Sequence, residues 1–281
     1  MRRLQWVSGP PVFPPLCFMD TDIAAVPVLR DNYVWMIRRG ETAIAIDPGE
    51  AEPVRRWLEA HALRLAGIAV THHHADHTGG VRALAPLLSP EGVIVTSAEA
   101  GIPHGRIGRA GEIVRFPGGV ELEVLAVPGH TRDHLAYATA DGHLFAGDTL
   151  FSIGCGRLFE GTAAEMVASL ARLQKRDPAT LVYPAHEYTA ANLAFALDLE
   201  PENDALLRYR EEVQALRQRG RPTLPVRLGR ERALNPFLRL EDPAIRRAVR
   251  ARGGPPAHDP VAIFANLRRW KDCFVVRVEN R

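Results

Sequence analysis

The chain has 281 residues, 35 Lys and Arg against 33 Asp and Glu, a net charge of +2 and 46% hydrophobic residues. That is ordinary globular composition, long enough for a large core in one domain or two. The near-neutral balance argues against nucleic acid or an anionic membrane surface as partner, and no apolar run reaches the roughly 18 residues of a membrane span.

The first stretch, MRRLQWVSGPPVFPPLCFMD, carries two early arginines, but Pro10, Pro11, Pro14 and Pro15 interrupt any apolar segment. It reads as a disordered leader over residues 1–20, with Met19 a candidate start, rather than as a signal peptide. Cys17, Cys155 and Cys273 are few and scattered. They suggest no disulfide framework, which fits a reducing, cytoplasmic setting.

From there β-like runs follow one another: TAIAID (42–47), GIAVT (67–71), GVIVTS (92–97), ELEVLAV (121–127), LAYATA (135–140), HLFAGD (143–148) and TLVYPAH (180–186). Each is rich in Val, Ile, Leu or Ala and bounded by Gly, Pro, Asp or Asn. Helical patterns lie between them at 53–62, 78–88 and 163–176, the last opened by a capping box of Thr162 and Glu165. Past residue 189 the texture is helical: TAANLAFALDL, ENDALLRYREEVQALRQR and DPVAIFANLRRWKD. Leu206, Tyr209, Val213 and Leu216 recur at helical spacing and read as a packing stripe. Strands first and helices last predict a mixed sandwich over 21–188 followed by a small helical domain over 189–281.

The chemically loaded residues cluster at strand ends. THHHADH (71–77) follows GIAV, VPGHT (127–131) follows ELEVLA, FAGDT (145–149) ends one run and YPAHEY (183–188) another. Strand ends on one sheet edge converge in space, so these loops can build one site. The set is His72, His74, Asp76, His77, His130, Asp148 and His186. Imidazole and carboxylate without thiolate suit Zn, Fe or Mn. Seven ligands exceed what one catalytic ion takes, and with one shared carboxylate they divide into two sets of four, a two-metal arrangement. A lone histidine such as His186 is more often a packed or surface residue; the order and placement of the whole set carry the argument. His73 alternates with His72 and His74 and is expected to point away from the metals. No G-x-S-x-G elbow offers an alternative nucleophile.

THHHADH, PGHT, GDT and HEY in this order resemble the metallo-β-lactamase superfamily. More narrowly, LRDNYVWMI (29–37), GDTLFSIGCGRLFEGT (147–162), HEYTAANLAFA (186–196), NPFLR (235–239) and LRRWKD (267–272) resemble the hydroxyacylglutathione hydrolase (glyoxalase II) family, from about Asp22 to Phe274. The resemblance implies an α+β fold, a four-layer αββα sandwich with a small C-terminal helical domain. It implies one ion held by His72, His74 and His130, a second by Asp76, His77 and His186, and Asp148 bridging them. The ions, zinc foremost with iron or manganese as alternatives, would activate a water with Asp76 orienting it or accepting its proton. The implied reaction is hydrolysis of the thioester S-D-lactoylglutathione to D-lactate and glutathione. Arg157, Phe159, Tyr188, Arg268 and Lys271 are the implied substrate contacts, Arg157 standing where some members have Lys and Phe159 where some have Tyr. Asp133 replaces the Gly that many superfamily members carry before His134, which leaves the supporting role of His134 open. Phe264 is expected to anchor the helix carrying Arg268 and Lys271. A monomer acting on a small molecule is the expected form. Competing readings are a lactonase, another thioesterase, a β-lactamase or a persulfide dioxygenase on the same fold, and a non-catalytic metal-binding module.

Overall fold

The computed structural model describes residues 22–254 and 259–275. The leader read over residues 1–20 lies outside them. Two six-stranded sheets face each other. The first runs in the order β1 (Asp22–Val28), β2 (Asn32–Arg39), β3 (Thr42–Ile46), β4 (Arg64–Ala69), β5 (Leu88–Thr96) and β6 (Arg106–Ile107). The second has β7 (Ile113–Arg115), β8 (Glu121–Ala126), β9 (Leu135–Ala138), β10 (His143–Gly147) and β13 (Leu181–Pro184), closed at its edge by β14 (Val226–Arg227). A short hairpin, β11 (Leu150–Phe151) with β12 (Gly154–Cys155), leaves the end of β10.

Side chains alternate across each strand, and that period sorts the core into two layers. Trp35, Ile37, Ile44 and Ile46 point between the sheets, where they join Leu122, Val124, Tyr137 and Phe145. Val34, Met36, Ala43 and Ala45 point outward and meet Val54, Trp57 and Leu58 of α1 (Ala51–Ala60). On the far side α4 (Ala163–Leu173) buries Met166, Leu170 and Leu173 against the second sheet. The result is the αββα sandwich that the resemblance implies, and it agrees with the mixed sandwich read from the strand pattern. Both bonds of the Thr162–Glu165 capping box are present at the start of α4.

The helical pattern read over 78–88 is corrected by the structure. Only α2 (Ala75–Thr78) and α3 (Val81–Leu84) form there, then a single 3-10 turn, and Leu88 already begins β5. The physical reason is a close approach of backbones. A Cβ on Gly79 would lie 2.7 Å from Gly49 O, and one on Gly80 2.6 Å from Pro48 O. The loop after β3 therefore presses on this segment and breaks the helix at the two glycines. Strand β1, not singled out in the sequence, pairs with β2, seen there only as part of a family-like stretch, in register from Asp22↔Arg38 to Val28↔Asn32.

The C-terminal region holds α5 (Thr189–Leu199), α6 (Asp204–Gln218), α7 (Leu228–Leu234), α8 (Pro243–Ala251) and α9 (Pro260–Cys273). It is not purely helical, since β14 pairs antiparallel with β13 through Val182↔Val226. Helix α5 is largely apolar because it is buried on two sides. Phe195 and Leu199 join the main core, whereas Leu193 and Ala196 pack with Leu206, Tyr209 and Val213 of α6. Phe264 is fully buried and locks α9 into the main core. No described helix is long and apolar enough to cross a membrane.

Candidate metal centre and substrate cleft

The loops after β4, β8, β10 and β13 meet at one edge of the sandwich. They line an open cleft of about 450 Å³ whose walls include His74, Asp76, His130, Asp148, Phe159, His186 and Tyr188. A larger hollow of about 630 Å³ lies elsewhere, around Arg39, Arg64 and Glu91, with no histidine in its wall. The chemistry belongs to the smaller one.

Donor atoms of His72, His74 and His130 lie within 4.8 Å of one another, as do those of Asp76, His77 and His186. Between the two groups stands Asp148. Its Oδ1 is 3.5 Å from His77 Nε2 and 3.4 Å from His186 Nε2, and its Oδ2 is 3.5 Å from His130 Nε2. Four histidines turn Nε2 inward; His74 turns Nδ1, 2.9 Å from His72 Nε2 and 3.1 Å from His130 Nε2. Asp148 Oδ1 and His77 Nε2 are buried and have no hydrogen-bond partner. Buried polar atoms without partners are costly, and five imidazoles with two carboxylates aimed at shared points are the donor set that borderline divalent ions take. The residues fit a metal centre.

The outward ring nitrogens of His72, His130 and His186 have hydrogen-bond partners, and that of His77 lies close to a carboxylate. His72 Nδ1 is 3.0 Å from Thr71 Oγ1, which donates to Asp47 Oδ2; His77 Nδ1 is 3.0 Å from the same Asp47 oxygen. His130 Nδ1 donates to Arg157 O at 2.8 Å and His186 Nδ1 to Asp31 Oδ1 at 2.9 Å. Such partners fix tautomer and ring angle. Asp31, Asn32, Thr71 and Asp47 were missed in the sequence. For Asp47 a signal existed, since it ends a strand as Asp148 does. Asp47 takes φ +50°, a conformation that non-glycine residues rarely adopt.

Burial pushes the pKa of His72, His74 and His130 down, which keeps their lone pairs free for a ligand role. Burial would raise Asp148, but the charges of His186 and His77 outweigh it and hold the carboxyl far below its usual range. Asp76 behaves alike: burial raises it, while hydrogen bonds from His186 and Asn32 keep it ionised. Asn32 Nδ2 donates to Asp76 Oδ2 at 3.0 Å.

His73 does point away, with Nε2 3.0 Å from Glu160 Oε1. His134 is buried, its ring stacked 4.7 Å from that of His72, and its Nε2 accepts the Asp148 N–H at 3.1 Å. Asp133 leaves this arrangement intact because it turns outward to the Glu99 N–H.

Of the other residues singled out in the sequence, Phe159 and Tyr188 line the cleft and the three cations lie outside its wall. Phe159 is exposed and packs edge-on to His74 and His130, with ring centroids 5.5 and 5.2 Å apart. Tyr188 stacks on His186 at 4.6 Å, nearly parallel. Arg157 is exposed, its Nε 3.5 Å from Asp272 Oδ1. Arg268, by contrast, is buried, and its guanidinium is spent on the protein. It donates from Nη1 to Cys155 O at 2.9 Å and from Nη2 and Nε to Asp272 Oδ1 at 2.9 and 3.1 Å. Lys271 donates to Ala191 O at 3.0 Å. Burial first, then the charges of Arg268 and Arg157, push Lys271 down to about 8. Three cations thus converge, and Asp272, also missed in the sequence, bridges two of them. The Cys155 thiol is buried and pushed up to about 11, which makes it inert at neutral pH.

Such a sandwich with a histidine–aspartate cluster at its edge defines a metallo-β-lactamase superfamily protein, and the model of that superfamily matches residues 28–186. Residues 187–274 match the hydroxyacylglutathione hydrolase C-terminus. The hydroxyacylglutathione hydrolase of Xanthomonas axonopodis pv. citri is 49% identical over 255 residues, 90% of this chain and 98% of that protein. The one from Alkalilimnicola ehrlichii is 47% identical over 261 residues, covering 90% and 99%. Among solved structures, ETHE1 from Myxococcus xanthus superposes with a TM-score of 0.58 at 26% identity, covering 91% of this chain and 99% of its own. The BLEG-1 B3 metallo-β-lactamase shares the fold at 18% identity and a TM-score of 0.57, covering 78% and 100%. The chain belongs to the hydroxyacylglutathione hydrolase family.

Proposed function

We propose that this protein hydrolyses S-D-lactoylglutathione, and related hydroxyacyl thioesters of glutathione, to the hydroxy acid and glutathione. The observation that carries the reading is the grouping of Arg157 and Arg268 on Asp272, with Lys271 on the same helix, next to the cleft residue His130 that the Arg157 carbonyl holds. A tripeptide thiol ending in a glycine carboxylate needs cationic contacts away from the reacting carbonyl, and Arg157 and Lys271 can supply them here, with Arg268 buried behind. A β-lactam, a homoserine lactone or an alkyl thioester has no such distant carboxylate.

In this reading His72, His74 and His130 would hold one divalent ion and Asp76, His77 and His186 a second, with Asp148 placed to serve both and zinc the first choice. Ions held there would supply Lewis acidity toward a water and the thioester carbonyl. The chain's own groups do the rest. Asp76, ionised and partly exposed to the cleft, would accept a hydrogen bond from the attacking water and orient it. Phe159 and Tyr188 flank the acyl sulfur with apolar surface and exclude water. Arg157 and Lys271 fix the glycine end, and Arg268 adds its charge from a buried position. The C–S bond breaks with glutathione leaving as the thiolate, which is protonated in solvent. The enzyme would act on this small molecule as a cytoplasmic monomer.

The test is to assay the metal-loaded protein on S-D-lactoylglutathione, nitrocefin and a homoserine lactone side by side. Turnover of the glutathione thioester alone is the expected result. Comparable turnover of either of the others would sink the glutathione reading.

A further inference from the structure

The hairpin β11–β12 has a two-residue turn, Ser152-Ile153, and Ile153 sits there at φ +57°. Glycine or asparagine ordinarily fills a turn position of that kind. A β-branched residue in it is strained and persists only where its surroundings impose it. The surroundings here are side chains of the C-terminal region. Glu231 Oε2 accepts the Ile153 N–H at 2.7 Å, and Glu231 Oε1 accepts from Ser152 Oγ at 3.2 Å. Asn192 Nδ2 donates to Ser152 O at 3.0 Å and Asn235 Nδ2 to Gly154 O at 2.9 Å. Asn235 also donates to Glu231 Oε2 at 2.9 Å, which orients the carboxylate. Glu231 is fully buried in α7, an unusual place for a carboxyl group unless it does something there.

The hairpin is also tied to the cleft at its root. Gly156 passes so close to Asp148 that a Cβ would stand 1.9 Å from Asp148 O. The next residue, Arg157, gives its carbonyl to His130 Nδ1. Where the hairpin sits therefore decides where Arg157 leaves the backbone.

We propose that Glu231 is a positioning residue that holds the Leu150–Cys155 hairpin in its strained form and thereby sets Arg157 at the rim of the cleft. The inference rests on the reading of Arg157 as a contact for the glycine carboxylate of glutathione. It assigns Glu231 no contact with substrate or metal; it acts through the backbone N–H of Ile153.

The experiment compares Glu231→Ala and Glu231→Gln in the metal-loaded full chain, each with and without Arg157→Ala. The substrates are S-D-lactoylglutathione and the lactoyl thioester of N-acetylcysteamine, which lacks the glycine carboxylate. Glu231→Ala should raise KM for the glutathione thioester about tenfold, leave kcat within about twofold, and leave KM for the small thioester unchanged. Glu231→Gln should restore most of the loss, because its amide oxygen still accepts from Ile153 and its NH2 can face Ser152 Oγ. In the Arg157→Ala background, Glu231→Ala should raise KM no further. Penalties that multiply, or that fall equally on both thioesters, overturn the proposal and leave Glu231 a folding residue. Should Glu231→Ala fail to fold, Asn192→Ala releases the same turn from α5 and carries the same expectation. Hydrogen exchange at the Ile153 amide separates the two readings. Faster exchange in Glu231→Ala than in Glu231→Gln is expected whatever the substrate proves to be, and equal exchange overturns the proposal even if lactoylglutathione is turned over.

Discussion

Asp148 and His186 face each other across the cleft, Oδ1 to Nε2 at 3.4 Å, although they end different strands, β10 and β13. Those strands are parallel neighbours, so both loops emerge at the same edge. Asp148 also reaches His77 and His130, which belong to opposite halves of the cluster. Removing it should cost more than removing any one histidine. Asp148→Ala should drop metal content from close to two ions per chain and lower kcat/KM by at least about a hundredfold. His73→Ala, whose ring turns to Glu160, should stay within about threefold of wild type. Elemental analysis with steady-state kinetics checks both, and equal damage from the two would show the ligand register to be wrong.

The outward bond of His186 to Asp31 gives a second prediction. Asp31→Ala leaves every candidate ligand in place but frees the imidazole to rotate. Metal affinity, measured by chelator competition, should weaken about 10- to 100-fold. Affinity equal to wild type would mean that Asp31 serves only the surface.

Lys271 titrates near pH 8 because burial and its cationic neighbours disfavour the charged form. Its charge is present below that value and is lost as pH rises through it. KM for S-D-lactoylglutathione should therefore climb above about pH 8, toward the roughly tenfold cost of one charge-assisted contact. A small thioester without the glycine carboxylate should show a flat KM over the same range. Lys271→Ala should carry the high KM at every pH on the glutathione substrate alone. A pH-dependent rise that survives in Lys271→Ala would assign it to another group.

Burial raises Glu231 to about 7, and the bonds from Ile153, Asn235 and Ser152 offset this only in part. The folded state then holds a proton that the unfolded chain releases at an ordinary carboxyl value. The stability so gained is fully present below about pH 4.5 and is lost as pH rises to about 7, a change of about 3 kcal/mol. Glutamine cannot titrate. The stability of wild type minus that of Glu231→Gln, from urea unfolding between pH 5 and 8, should fall with rising pH. A difference that stays level would show that Glu231 is ionised throughout.

Much of this protein is legible in the sequence, because the informative patterns are local. The alternating strands, the Thr162–Glu165 capping box and the largely apolar α5 each follow from residues close together in the chain. The seven His and Asp candidates were found because they end strands, and strand ends at one sheet edge must converge. What the sequence could not decide are contacts between distant segments. The helix expected over 78–88 breaks because a loop thirty residues earlier presses on Gly79 and Gly80. Asp47 and Asp31 became partners of histidines only when β3, β4, β13 and the turn after β1 came together. Arg268 and Lys271 read alike on one helix, three residues apart, yet Arg268 is buried on Cys155 O and Asp272 while Lys271 reaches Ala191. Periodicity fixes which face of an element is apolar, but only the packing of one element on another decides which polar atom there finds a partner.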